Sequence, residues 1–129
     1  NSTNQSSATY VAYCFAAVAG YSAFGSYTGN GSTDGPFVYC GFRPRFILVK
    51  RTDSAGNSWS IWDSSRDTYN VVSNYLFPNS SAAEASSSEF DFLSNGFKLR
   101  STAGGENASG GTFIFAAFAE VPFKFANSR

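Results

Sequence analysis

Histidine is absent from this 129-residue chain, and with it go the Ser-His-Asp and Cys-His nucleophile systems and every zinc site that uses imidazole. Were the chain an enzyme, carboxylates would have to carry its proton transfers. Methionine is absent too, so position 1 is not a natural start, and the chain reads as a processed piece of something longer. Charged residues make up only 14%, against about 25% in an ordinary domain, and nine basic side chains balance nine acidic ones. That balance leaves no electrostatic footprint for a polyanion, so nucleic-acid binding is not expected. No apolar run reaches the ~18 residues of a membrane span and no cleavable leader pattern is present, so a soluble domain without membrane insertion is expected. The two cysteines, Cys14 and Cys40, have a separation that fits no zinc or redox motif. Both sit in apolar runs, which leaves buried free thiols or one disulfide between strands as the two readings.

What the chain does have is apolar content of 43%, aromatic content of 18%, and dense Gly, Ser and Asn punctuation. Short runs rich in Phe, Tyr, Val and Ile alternate with turn residues, which is strand chemistry. Strands are predicted at residues 9–19, 21–27, 37–42, 46–52, 58–63, 88–94, 97–101 and 112–120, with one helical turn allowed within 80–88. Residues 112–120 are apolar on both faces, with Phe113 and Phe115 on one and Ile114 and Phe118 on the other, so this strand is expected to be central and covered on both sides. Asn95-Gly96 between two alternating runs signals a type I′ hairpin, in which Phe92 would face Leu99 and Asp91 would face Arg100. The fold class predicted is all-β, a two-sheet antiparallel sandwich of jelly-roll type. An immunoglobulin-like Greek key is the alternative, although no Trp lies between the cysteines.

Residues 1–8 read as a polar arm, 9–20 as a first strand, and 21–129 as the sandwich module. The segment 9–18 echoes 112–121: Thr9, Phe15, Ala16 and Val18 recur as Thr112, Phe118, Ala119 and Val121. Convergence of two buried strands explains this, as does modular repetition in which 9–20 closes a preceding module. A third reading has the first strand completing a neighbouring subunit.

Four segments carry a resemblance: Phe24-Gly-Ser-Tyr-Thr-Gly-Asn-Gly-Ser-Thr-Asp-Gly-Pro-Phe-Val-Tyr39; Gly41-Phe-Arg-Pro44 with Val49-Lys-Arg-Thr-Asp53; Phe92-Leu-Ser-Asn-Gly-Phe-Lys-Leu-Arg100; and Ala117-Phe-Ala-Glu-Val-Pro-Phe-Lys-Phe-Ala-Asn-Ser-Arg129. In that order they resemble an uncharacterised module at the C-terminal ends of tail-fibre and other virion proteins of marine bacteriophages, often beside concanavalin-like jelly-roll domains. The likeness runs from about Tyr10 to Arg129 and implies that Arg129 is a true C-terminus. It implies a virion-surface location and supplies no catalytic residue.

Two places offer candidate ligand-binding groups. The loop at residues 28–36 carries glycines at 29, 31 and 35 with oxygen acceptors at Asn30, Ser32 and Asp34, a composition suited to a turn, a sugar hydroxyl or a hard cation. One carboxylate is thin for calcium, and no metal or cofactor is implied. The run at residues 59–66 joins Trp59 and Trp62 to Asp63 and Arg66, as in a shallow sugar site where a ring stacks and charges reach hydroxyls. Strand alternation puts Trp59 with Ile61 on one face and Trp62 on the other with Ser58 and Ser60, and core packing with an Asp63–Arg66 structural pair is the plain alternative. For hydrolysis the carboxylate pool is Asp63, Asp67, Glu89 and Asp91, with no pair set in an apolar run that would raise one pKa. Sequons at Asn30, Asn79 and Asn107 are expected from the Ser- and Asn-rich composition alone.

The expectation is therefore a non-enzymatic virion-surface module, a tail-fibre or receptor-binding domain recognising host-surface glycan. The alternative is a structural virion protein, a capsid decoration or filament subunit that is homo-oligomeric and packs against other virion proteins. A recognition module would concentrate exposed aromatics at a loop end, and a structural one would spread them along a side or an edge strand.

Overall fold

In the computed structural model, which describes residues 5–121, backbone pairing builds β1 (Ser22–Thr28), β2 (Phe37–Tyr39), β3 (Pro44–Arg51), β4 (Ser60–Asp63), β5 (Val72–Leu76), β6 (Ala85–Leu93), β7 (Gly96–Leu99) and β8 (Thr112–Ala119). One helical turn, α1 (Gly104–Asn107), precedes β8. The all-β class is as predicted. The strands belong to a single hydrogen-bonded sheet in the order β1-β8-β3-β4-β5-β6-β7-β2, and every neighbouring pair is antiparallel.

That sheet curls until its far strands meet. Phe97 of β7 lies 5.3 Å from the ring of Phe115 on β8 and 6.1 Å from Tyr27 on β1, although these strands stand at opposite ends of the sheet order. The curled sheet approaches a barrel, and one continuous ladder runs through it in place of two separate sheets. The shared interior holds Ile47, Val49, Trp62, Phe90, Phe92, Phe97, Leu99 and Phe113, all at most 2% exposed. Large aromatics dominate because a sheet closing on itself must fill a wide centre from side chains alone.

β8 has the two apolar faces its sequence predicts. Phe113, Phe115 and Ala117 point into the interior, while Ile114, Ala116 and Phe118 alternate outward between β1 and β3. On the outer side Phe118 meets Phe24 of β1 at 5.9 Å and Phe46 of β3 at 5.7 Å, so an apolar stripe runs across three strands.

Residues 9–19, predicted as a strand, form none. They run across that outer stripe instead, with Phe15 stacked on Phe24 at 5.8 Å and set edge-on to Phe118 at 6.0 Å. An isolated bridge ties Val18 to Ser22, whose hydroxyl also donates to the Ala16 carbonyl. The positions beside β8 are already taken by β1 and β3, so this strand-like sequence has no ladder to join there. Cys14 is exposed on it and Cys40 is half-buried, and both are free, so neither a disulfide nor a pair of buried thiols is formed. Burial pushes the Cys40 thiol up to about 11.

The β6–β7 hairpin is present with its register moved by two. Phe92 pairs with Phe97 and Phe90 with Leu99, so Ser94 and Asn95 make the turn and Gly96 is the first residue of β7. Asp91 pairs with Lys98 across the ladder but still forms its ion pair diagonally with Arg100. β5 was not predicted, since only its ends are apolar, and the helical turn lies at α1 rather than within 80–88.

Candidate functional site

The outer stripe and the N-terminal segment enclose an open cavity of about 410 Å³. Tyr13 and Phe15 form one wall, Phe24, Leu48 and Ile114 form the floor, and Trp59 stands at its side. The volume falls within the range of small-molecule sites, but the lining is almost wholly apolar, without the convergent polar groups that orient a small polar ligand. Strand alternation explains the contents: Phe24, Leu48 and Ile114 come from positions whose neighbours in sequence face the interior. Tyr13 and Phe15 remain 82% and 66% exposed, so the cavity wall itself is a water-facing aromatic surface.

The sequence-predicted residues fall into separate places. Trp62 is fully buried, stacked on Tyr75 at 5.1 Å and edge-on to Phe90 at 4.6 Å, and belongs to the core. Trp59 and Trp62 lie on opposite faces as the alternation predicts, but it is Trp62, on the face of Ser58 and Ser60, that is buried, while Trp59 lines the outer cavity and its backbone N–H donates to Asn79. Asp63 and Arg66 do pair, but as a turn lock. The Asp63 carboxylate accepts from the Ser65 and Arg66 backbone N–H groups and from the Arg66 guanidinium, which also donates to Glu84 at 2.7 Å.

Asn30 and Asp34 lie on the Gly-rich loop, and no hydrogen bond or ion pair joins them to residues 59–66 among the described residues. The loop's acceptors are used internally around Asn107, the last residue of α1. Its side chain accepts from Asn30 N–H at 2.9 Å and donates to the Ser32 carbonyl at 2.8 Å and the Ser101 carbonyl at 2.7 Å. Gly31 N–H adds a bond to its backbone carbonyl. Asp34 is exposed and paired with Lys98, whose hydrogen bond holds its carboxyl below the usual carboxylate range.

Of the catalytic pool, Asp67 accepts from Ser73 and Asn74 and shapes the approach to β5, and Asp91 is paired with Arg100. Glu89 stands apart. It is 2% exposed at the irregular part of the β5–β6 pairing, and its Oε2 has no hydrogen-bond partner. Its charge acts on Glu106 of α1, a residue with no sequence signal because it stands alone in a Gly-rich turn. Burial first, and then Glu89, push the Glu106 carboxyl up to about 7 against the opposing Ser60 hydroxyl. Tyr27, whose hydroxyl donates to the Glu106 carbonyl at 2.8 Å, is also raised, mainly by burial. Among the described residues, no group of three or more His, Cys, Asp and Glu side chains is set to hold a metal ion.

No curated protein and no solved structure matches the chain. Residues 1–122 match the model of a family described as a domain of unknown function, DUF7483, and the chain belongs to that family.

Proposed function

We propose that this chain is a non-enzymatic structural module of a virion surface and that it works by association with further copies of itself. One observation carries the reading: most of the exposed aromatics are spread along a side and an edge strand, with Tyr69 apart on the loop before β5. Tyr13 and Phe15 of the N-terminal segment stand over the outer stripe with Tyr10 exposed before them, and Phe37 and Tyr39 lie on β2, which ends the sheet order. Rings held in water at such positions gain free energy when a partner covers them. The virion location rests on the resemblance of the four segments to phage tail-fibre modules.

Sedimentation velocity across a wide concentration range is the test. The wild-type chain is expected to self-associate, and the double substitution Tyr13→Ser with Phe15→Ser should weaken association at least about tenfold while leaving the melting temperature nearly unchanged. A wild-type chain that stays monomeric throughout would sink the proposal. The second reading, glycan recognition on a host surface, is favoured by Trp59 beside Tyr13 in the outer cavity. It requires saturable binding of the multimerised domain to host cells, lost with their polysaccharide and in Trp59→Ala.

A further inference from the structure

We propose that the open edge of β1 is the docking site for a strand lent by a second copy of this chain, residues 11–17 of that copy's N-terminal segment; this rests on the self-association proposed above and names its contact. β1 ends the sheet order and, among the described residues, pairs along its length only with β8. Its backbone groups divide by parity. The Tyr21 carbonyl and Gly29 N–H bond toward β8 and its flank, whereas the Ser22 N–H and carbonyl bond to Val18 on the other side. Phe24, Ser26 and Thr28 therefore turn their N–H and carbonyl groups to the open edge. Edges are ordinarily blunted by Pro, charge or a bulge, and the Ser22–Thr28 strand has none of the three.

The isolated bridge supplies the register. Val18 and Ser22 form an antiparallel hydrogen-bonded pair, and continuing it sets Ala16 opposite Phe24, Cys14 opposite Ser26 and Ala12 opposite Thr28. Phe15 then falls opposite Gly25 and Tyr13 opposite Tyr27. Residues directly opposite share a face, so both rings would lie on the inner side with Tyr27, which stacks on Phe113 at 5.0 Å. The Phe115 ring already covers Gly25 from that side, where a Cβ would meet it at 3.0 Å, and Phe15 would extend the same aromatic layer. Only small side chains, Ala12, Cys14 and Ala16, would fall on the outer side beside Phe24. The echo of 112–121 in 9–18 agrees: the segment is similar to the strand that β1 already accepts on its other edge.

Within one chain the segment turns away from this edge. The Ser22 hydroxyl donates to the Ala16 carbonyl at 3.1 Å, so Ala16 is tied to a side chain rather than to Phe24, and Phe15 is carried onto the outer face of the Phe24 ring. Every residue from 9 to 19 stays exposed there. A segment lent by another copy is free of that constraint, because no tight turn joins it to the β1 it pairs with. Each copy then offers one edge and one strand, so the contact is head-to-tail and propagates unless a ring closes it.

Two single-thiol variants test the register. One keeps Cys14, the other carries Cys14→Ser with Ser26→Cys, and both carry Cys40→Ser, so a bond between positions 14 and 26 can only join two copies. In the proposed pairing their Cα atoms would stand about 5.5 Å apart, within disulfide reach. Mixed and treated with oxidised glutathione, the variants should give a reducible heterodimer at least about tenfold above that obtained when Ala55→Cys, on an exposed turn, replaces Ser26→Cys. Chymotryptic peptides locate the bond. A yield no higher than that of the Ala55→Cys control would overturn the proposal. A single chain with Cys14 and Ser26→Cys that closes its own disulfide as a monomer would overturn it too, since the edge would then be filled from within. Sedimentation of the wild-type chain separates the two readings: association without the 14–26 bond removes this docking site alone, whereas a monomeric wild type removes both.

Discussion

Gly96→Val is expected to lower stability by about 3 kcal/mol and the melting temperature by about 10 °C. Gly96 opens β7 and pairs with Tyr39 of β2, and a Cβ there would overlap the Val38 carbonyl oxygen and approach the Phe37 ring at 3.0 Å. Backbone cannot give way as a flexible side chain can, so β2 must move, taking buried Val38 out of the core. Cys40 N–H and Gly41 N–H, both bonded to the Asn95 carbonyl, would be displaced with it. Since the first carbon makes the overlap, Gly96→Ala should cost nearly as much. Gly104→Ala, whose Cβ would meet only the Arg51 guanidinium at 3.8 Å, should change stability by less than about 1 kcal/mol. Thermal melting of the three variants is the check, and a harmless Gly96→Ala would remove the overlap as the cause.

Asn107→Ala is the second large effect, about 3 kcal/mol. Its side chain serves Asn30 N–H and the Ser32 and Ser101 carbonyls from a position with no exposed surface, so truncation leaves three polar groups unpaired at about 1 kcal/mol or more each. Denaturant unfolding gives the loss, and a second readout gives its location: backbone amides at residues 29–35 should exchange faster than those of β3. Asp34→Asn changes an exposed partner of Lys98 on the same loop and should cost well under 1 kcal/mol. The same burial means that the sequon at Asn107 is closed to a glycosyltransferase in the folded chain, so the sequence match there has no chemical consequence once folding is complete.

The contrast between Gly96 and Asn107 shows what could be read beforehand. The hairpin was visible in Asn95-Gly96, because turn chemistry is local, but Gly96 is needed for the close approach of β2, and a partner distant in sequence leaves no local mark. The predicted positive φ is not used there, and the register moved by two accordingly. The two faces of β8 and the split between Trp59 and Trp62 were legible, since period-two alternation survives folding. Residues 9–19 have the composition of a strand without a place in the ladder, which depends on which neighbours β8 has already taken. Glu106 was silent: a lone acid in a Gly-rich turn means nothing until Glu89, Ser60 and Tyr27 surround it.

The chain enters the sheet at Ser22 and leaves it after Ala119, and these points are side by side, with Ser22 paired to Phe118 and Ala119 N–H bonded to the Tyr21 carbonyl. A pulling force applied across them would load the β1–β8 ladder one pair at a time, like a zip, rather than shearing all its bonds together. Mechanical toughness in an assembly of such modules would therefore have to come from contacts between copies.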